Sequence, residues 1–359
     1  MLRAPSRCAR ILQPTLRTTH SLHTRAMPVT VMARPAEVDT SLLKNLKYID
    51  IGVNLTDPVF RGKYHGKKKH EDDLEHMLER ARKAGVKSMI ITGTSLRESR
   101  EALKLAKELG NSPNFIHVSN LLIFFKGGPD AYLQALDELI AGNLKGKGRV
   151  VALGECGLDY DRLHFASQEV QQKHFRSQLS LAKKHQLPLF LHSRAAHGDF
   201  VRILREEGFG DASGKFGVVH SFTGSLAEAA ELMTMGFHLS INGCSLKTEE
   251  NLKAAATIRS DRILLETDAP WCSMTGGHAS KEQLSSLPQA MRDLYLAPSV
   301  KPESFVAGKA VKGRNEPCAT GAVAWAMHKL LNVPLEKVAE KAFKNTLDLF
   351  GLEEDELDF

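Results

Sequence analysis

The apolar run Ile263-Leu264-Leu265 leads directly into Glu266-Thr267-Asp268, and Pro270 ends the stretch. Alternate side chains of an extended chain share a face, so Leu264, Glu266 and Asp268 point the same way. Two carboxylates at the end of a buried strand are costly to desolvate unless a positive charge holds them. Three other apolar runs also end in a group that can ligate a cation. Glu155 closes "RVVALGE", His192 closes "LPLFLH" and His220 closes "FGVVH". Two imidazoles and two carboxylates on one rim make a divalent-metal site, and the metal supplies the charge that Asp268 lacks. Glu266, deeper on the same face, suits a supporting role, pairing with a cation or orienting a ligand histidine.

For these four residues to meet, their strands must lie side by side with the same ends together. From residue 48 onward, short β-branched runs alternate with longer helix-period segments. The strand candidates are "YIDIGVN" from Tyr48, "KSMIITG" from Lys87, "FIHVSNL" from Phe115 and "RVVALGE" from Arg149, then "LPLFLH" from Leu187, "FGVVH" from Phe216, "FHLSING" from Phe237 and "RILLETD" from Arg262. Helical stretches separate them. In the first, Leu74, Met77, Leu78 and Ala81 share one apolar face. Strand–helix alternation implies parallel βα units, and eight strands favour a closed (β/α)8 TIM-type barrel, an α/β fold. Such barrels carry their chemistry at the carboxyl ends of the strands. Parity predicts that Val151, Leu153 and Glu155 face inward, as do Phe190 with His192, Val218 with His220, and Leu264 with Asp268. Together these elements read as a single barrel domain. Between Cys272 and Thr320 runs a long polar segment with little periodicity; it follows strand eight and is expected to lie over the mouth as a lid or partial lid.

A chain of 359 residues, 42% hydrophobic and 25% charged, can bury a sizeable core. No apolar run reaches the ~18–20 residues of a membrane span, so no membrane partner is expected. The five cysteines, Cys8, Cys156, Cys244, Cys272 and Cys318, show no paired spacing, which excludes a disulfide framework or a zinc finger and suits a reducing compartment. Residues 1–36 hold six arginines and no acidic residue, which accounts for the whole net charge of +6. The body is therefore not globally basic, and nucleic-acid affinity must come from a local patch.

Several blocks resemble the TatD family of metal-dependent deoxyribonucleases, in the amidohydrolase-like barrel superfamily. They are "GECGLDYDRLHFASQEVQQKHFRSQL", "PLFLHSRAAHGDF", "VVHSFTGS" and "LLETDAPWC", joined by "IDIGVNLTDPVFRGKYHGKKKHEDDL" and "VKGRNEP", which resemble TatD proper. The resemblance spans residues 46–352 and implies a barrel, divalent-metal dependence and hydrolysis of DNA phosphodiesters, often from a 3′ end. Its metal ligands fall on Glu155, His192, His220 and Asp268. Many relatives carry a His-x-His pair at the end of strand one. Here Asp50 is followed by Gly52-Val53-Asn54, so a tightly held second ion loses two ligands. With fewer imidazoles, one or two magnesium or manganese ions suit the site better than zinc, though zinc remains an alternative.

The chemistry expected is attack of water on a phosphodiester. A divalent cation binds a phosphate oxygen and lowers the pKa of its water, Asp268 takes the proton, and Glu155 bridges if two ions bind. Ser193 and Ser221 adjoin the histidines, but neighbours on a strand face opposite ways, which argues against a serine nucleophile. Substrate contacts are expected from Asn54, from Arg194, from the basic loop Gly62–His70, and from Arg314 and Asn315 in "KGRNEP". Two other functions share parts of this pattern. Related barrels cleave carboxyl esters, so an RNA or tRNA substrate such as D-aminoacyl-tRNA is an alternative to DNA. An inactive barrel used as a scaffold would have no reason to keep buried charge at four strand ends.

The acid-free, arginine-rich start resembles a mitochondrial presequence, and Met27 offers a second start that omits most of it, giving a cytoplasmic or nuclear form. Residues 1–26 fused to a fluorescent reporter should carry it to mitochondria, while a fusion beginning at Met27 stays outside. Diffuse cytosolic fluorescence from the longer fusion would exclude the presequence.

Overall fold

The computed structural model describes residues 43, 45–93, 95–109, 115–117, 128–144, 148–211, 214, 216–354 and 357. The basic segment 1–36 lies outside these residues. So do part of the third predicted strand and the loop that follows it.

Eight strands form one parallel sheet in chain order: β1 (Tyr48–Val53), β2 (Val86–Ile91), β3 (Phe115–His117), β4 (Val150–Asp159), β5 (Leu189–Arg194), β6 (Gly217–Val219), β7 (His238–Ile241) and β8 (Ile263–Leu265). The sheet closes on itself just past β8. Val53 pairs with Ala269, the Asp268 amide donates to the Gly52 carbonyl (2.8 Å), and the Asn54 amide donates to the Ala269 carbonyl (2.8 Å). The fold is a (β/α)8 barrel.

Its helices form where periodicity and caps coincide. In α1 (Leu74–Lys83), Leu74, Met77, Leu78 and Ala81 are buried, as their spacing predicts. Further on, α2 (Leu96–Glu108), α3 (Gly128–Ala141), α4 (Gln168–His185), α5 (His197–Glu206), α6 (Leu226–Thr234) and α7 (Glu249–Ala255) cover the wall. The Ser225 and Glu228 side chains close a reciprocal capping box at the start of α6.

The barrel interior holds Ile49, Ile51, Ile90, Val151, Ala152, Phe190, Val218 and Leu264, joined by Phe343, Leu349, Phe350, Leu352 and Leu357 from the C-terminal region. Inward parity holds as predicted for Phe190, Val218 and Leu264. On β4 it does not: Ala152 joins the interior, while Leu153 packs with the outer core. Two register shifts cause the difference, one opposite Phe115–Ile116 and one between Gly154 and Cys156. Each bulge adds a residue and reverses the alternation, so Glu155 still reaches the rim. Gly154 is required there, because at φ +150° a Cβ would lie 2.0 Å from the Phe190 carbonyl oxygen.

The polar segment after β8 runs as a strap along the barrel. From the mouth it descends through α8 (Lys281–Ser285) and α9 (Gln289–Tyr295), which pack on α10 (Thr320–Leu331). Tyr295 then reaches the first residue of β1, its hydroxyl 3.2 Å from that of Tyr48, at the end of the barrel away from the carboxyl rim. The chain returns through the paired segments Ser299–Val300 and Ala310–Val311 and meets the loop after β1. There Phe305 stacks on His70 at 4.5 Å and Lys69 pairs with Glu303 at 3.3 Å.

Two expected substrate contacts belong to this strap and are committed to the fold. Arg314 is buried, with 1% of its side chain exposed; it donates to both Asp73 oxygens (2.8 and 2.6 Å) and to Glu316 Oε1 (2.8 Å). It also donates to the Val59 carbonyl (3.1 Å), so both of its terminal nitrogens are engaged by the protein itself. Arg80 completes the cluster through Glu316, at 2.7 Å and 3.0 Å. Asn315 donates from Nδ2 to the Thr267 carbonyl (3.0 Å) and from its amide to the Pro270 carbonyl (2.9 Å). It fastens the strap to the turn that carries Asp268. The physical reason is burial: a planar five-donor cation surrounded by carboxylates is worth more as a fastener than as a surface group.

Removing one partner of this cluster strands buried charge. Arg314→Ala should lose on the order of 3–5 kcal/mol of stability, read as a lower urea midpoint. An unchanged midpoint combined with weakened DNA binding would return Arg314 to the substrate.

Candidate metal centre

Three of the four predicted ligands converge on one point. His192 Nδ1 and His220 Nε2 each lie 2.9 Å from Glu155 Oε1, and they are 3.4 Å from each other. The strands bring this about directly. Glu155 comes from the bulged part of β4, His192 from the end of neighbouring β5, and His220 from the residue after β6. Phe190 stacks on the His220 ring at 4.7 Å and fixes its plane.

Each imidazole has a carboxylate on its other nitrogen. His220 Nδ1 is 3.6 Å from Glu266 Oε1, and His192 Nε2 is 3.3 Å from Asp159 Oδ2. A carboxylate behind each ring selects the tautomer that turns a lone pair toward the cluster. Glu266 takes the supporting position expected of it. Asn242 holds it, donating to Glu266 Oε1 (2.8 Å), and the Cβ missing from Gly52 leaves room for Glu266 Oε2, which a side chain would approach to 2.9 Å.

Asp159 and Asn242 were not anticipated. Asp159 lies two alternations beyond Glu155 on the same extended stretch, so carrying the parity of "GECGLD" past Glu155 would have found it. Asn242 directly follows β7 and carries no comparable sequence signal.

Asp268 stands beside the cluster rather than in it. Its Oδ1 accepts from Asn54 Nδ2 (3.1 Å) and its Oδ2 from the Cys272 thiol (3.2 Å). Asn54 is oriented in turn by the Thr92 hydroxyl, which donates to its Oδ1 (2.6 Å). The expected phosphate contact Asn54 thus serves to position Asp268. Arg194 is 43% exposed, with Nη1 3.4 Å from Asp159 Oδ2, and remains open to a ligand at the rim. In the basic loop, Lys68 and Lys69 pair with Glu71 and Glu303, while Lys63 and Lys67 stay exposed without an ion-pair partner among the described residues.

Electrostatics follow from this crowding. Burial alone would raise the Glu155 carboxyl, but His220 and His192 hold it well below the usual range. Burial would lower His220, yet Glu155 and Glu266 raise it well above an ordinary imidazole. His192 is also raised, with Asp159 and Glu155 outweighing burial. Asp268 is pushed up to about 6, chiefly by burial, with His220 opposing and Glu266 and Glu155 adding to it. Both imidazoles therefore sit where positive charge is favoured, whether carried by a proton or by a cation. The residues fit a divalent ion. Glu155 Oε1, His192 Nδ1 and His220 Nε2 lie within 4.8 Å of one another, and each histidine is oriented from behind.

A parallel barrel with a two-imidazole, one-carboxylate donor set at its carboxyl rim defines the class of metal-dependent barrel hydrolases. A family model described as "TatD related DNase" matches residues 49–351, and the chain belongs to that family. It is 44% identical over 320 residues to "Deoxyribonuclease Tat-D" of Schizosaccharomyces pombe, covering 88% of this chain and 99% of that protein. It is 34% identical to "3'-5' ssDNA/RNA exonuclease TatD" of Erwinia amylovora, covering 84% of this chain and 99% of the relative. Among solved structures, a TatD family hydrolase from Entamoeba histolytica matches with a TM-score of 0.75 at 30% identity, over 85% of this chain and 98% of that one.

His220→Ala should abolish measurable manganese binding by isothermal titration without loss of the fold. Asp159→Asn, which leaves all three donor atoms in place, should weaken it by about 10–100-fold. Undiminished affinity in His220→Ala would remove the cluster as the metal site.

Proposed function

We propose that the chain is a divalent-metal-dependent deoxyribonuclease that hydrolyses phosphodiester bonds, removing nucleotides from 3′ ends and cleaving internally as a further capacity. The observation that carries this reading is the convergence of Glu155 Oε1, His192 Nδ1 and His220 Nε2 at the open end of a barrel. The deoxyribonuclease and exonuclease relatives support it.

Magnesium or manganese held by this triad would supply a positive charge for a phosphate oxygen and acidify the attacking water. The remaining work falls to the chain. Asp268 accepts the water's proton; a carboxylate raised to about 6 remains mostly ionised at neutral pH while staying basic enough to serve. Asn54 and Cys272 fix where its two oxygens point. Arg194 offers a planar fork for a phosphate, and Lys63 and Lys67 add charge beside the mouth.

The apolar surface around the rim suits unpaired bases. Trp271, 57% exposed, follows β8, and Phe165, 54% exposed, follows β4. In an eight-stranded barrel these two loops face each other across the opening. Exposed aromatic faces flanking a basic rim stack bases of any sequence, which favours single-stranded substrates.

The direct test gives the full-length protein 3′-labelled single-stranded DNA beside duplex DNA, RNA and D-aminoacyl-tRNA, with magnesium, manganese or chelator. Metal-dependent shortening of the single strand is expected. Deacylation without DNA cleavage would replace this function with ester hydrolysis. Within the reading, Asp268→Asn keeps the side chain's size and loses its basicity. Its single-turnover rate at saturating manganese should fall by ~10²–10⁴-fold, with a much smaller change in metal affinity. A rate within a few-fold of the parent would place the base elsewhere.

A further inference from the structure

Two thiols meet at the same rim. Cys244 follows β7 and Cys272 follows β8, and their sulfurs lie 2.8 Å apart, both as free, partly buried thiols. Nothing in their spacing of 28 residues suggests a pair; neighbouring strands bring them together. The backbones are equally close. A Cβ at Gly243 would stand 2.0 Å from the Cys272 carbonyl oxygen, so the turn after β7 presses directly on the turn after β8. A disulfide places its sulfurs about 2.05 Å apart, so closure needs roughly 0.75 Å of further approach.

The pair also touches the chemistry. The Cys272 thiol donates to Asp268 Oδ2 at 3.2 Å, one of the two hydrogen bonds that orient that carboxylate. Asp268 and Cys272 both hold left-handed backbone, at φ 54° and 51°. Such non-glycine conformations persist only where surrounding contacts over-determine them, so a turn carrying two of them responds when one contact is lost.

We propose that Cys244 and Cys272 form a redox modification site whose reversible disulfide switches the enzyme off through Asp268. The oxidant is a peroxide. One thiol takes a peroxide oxygen to become a sulfenic acid and releases water; the other sulfur displaces that oxygen, which leaves as a second water. In all, two thiols lose two electrons and two protons, hydrogen peroxide gains both, and one S–S bond replaces two S–H bonds. The S–H donor to Asp268 disappears with them, and Cys272 is drawn toward β7. A dithiol reverses the step. The catalytic consequence rests on the nuclease reading above; formation of the bond does not.

The test treats the full-length, metal-loaded protein with hydrogen peroxide and then maps its peptides without reduction. A Cys244–Cys272 cross-link with the mass of two hydrogens lost is expected. Cleavage of single-stranded DNA should fall on the order of tenfold or more, within what a placed base contributes, and recover with dithiothreitol. Cys244→Ser, which leaves the donor to Asp268 in place, should keep basal cleavage and lose the dithiothreitol-reversible inactivation; Cys244→Ala serves if the serine variant folds poorly. Thiols that remain unpaired after peroxide overturn the proposal, as does a cross-linked protein that cleaves DNA like the reduced form. If the reduced protein cleaves no nucleic acid, the nuclease reading fails separately. Peptide mapping and manganese affinity, before and after oxidation, then decide the switch.

Discussion

An excess of buried negative charge governs the carboxyl end of this barrel. Five carboxyl groups, Asp50, Glu155, Asp159, Glu266 and Asp268, gather near two imidazoles; Asp50, Asp159 and Glu266 are buried, and Glu155 and Asp268 are only partly exposed. Water cannot pay the electrostatic cost there, so protons and hydrogen-bond donors must. Asp50 is pushed up to about 8, first by burial, even though the Thr267 amide and hydroxyl and the Gly52 amide all donate to it. Asp268 and both histidines are likewise held toward their protonated forms. A dication at the three donor atoms would relieve the same excess, in competition with protons for the imidazole nitrogens.

Charge packed this tightly is useful only if it cannot relax, and the neighbouring strands supply the rigidity. Glycines at 52 and 154 let backbone and carboxylate approach distances that any side chain would forbid. Thr267 binds Asp50 across the seam between β1 and β8, so the closure of the barrel and the placement of Asp268 are one set of contacts. The two histidines turn opposite nitrogens inward, Nδ1 for His192 and Nε2 for His220. Their backing carboxylates differ accordingly: Glu266 is fully buried, while Asp159 sits at the rim within reach of Arg194.

Much of this was legible in the residues. Strand runs ending in His, Glu and Asp located the rim, and the eight-strand count gave the closed barrel. Strict alternation on β4 failed because bulges are set by contacts with neighbouring strands, which local periodicity does not report. Asp159 was missed because β4 continues past the apolar run that marked it. The Cys244–Cys272 contact was invisible because strand adjacency, not spacing, creates it. Nor did the polar segment after β8 announce its course. Its anchors, Tyr295 on Tyr48 and Arg314 on Asp73, join residues more than 240 positions apart.

The course of that segment concerns the site as well as topology. Arg314 and Asn315 have the donors expected of phosphate contacts, and sequence alone cannot separate a donor aimed at substrate from one aimed at the protein's own carbonyls. Burial separates them. Asn315 binds the carbonyl of Thr267 and, through its amide, that of Pro270, enclosing Asp268 between two fixed peptide groups. Arg314, next to it, ties the same strap to Asp73 at the start of α1. The loop after β1, the strap and the turn after β8 thereby form one frame around a residue in left-handed backbone. Through these contacts the strap holds the position of a single carboxylate, that of Asp268.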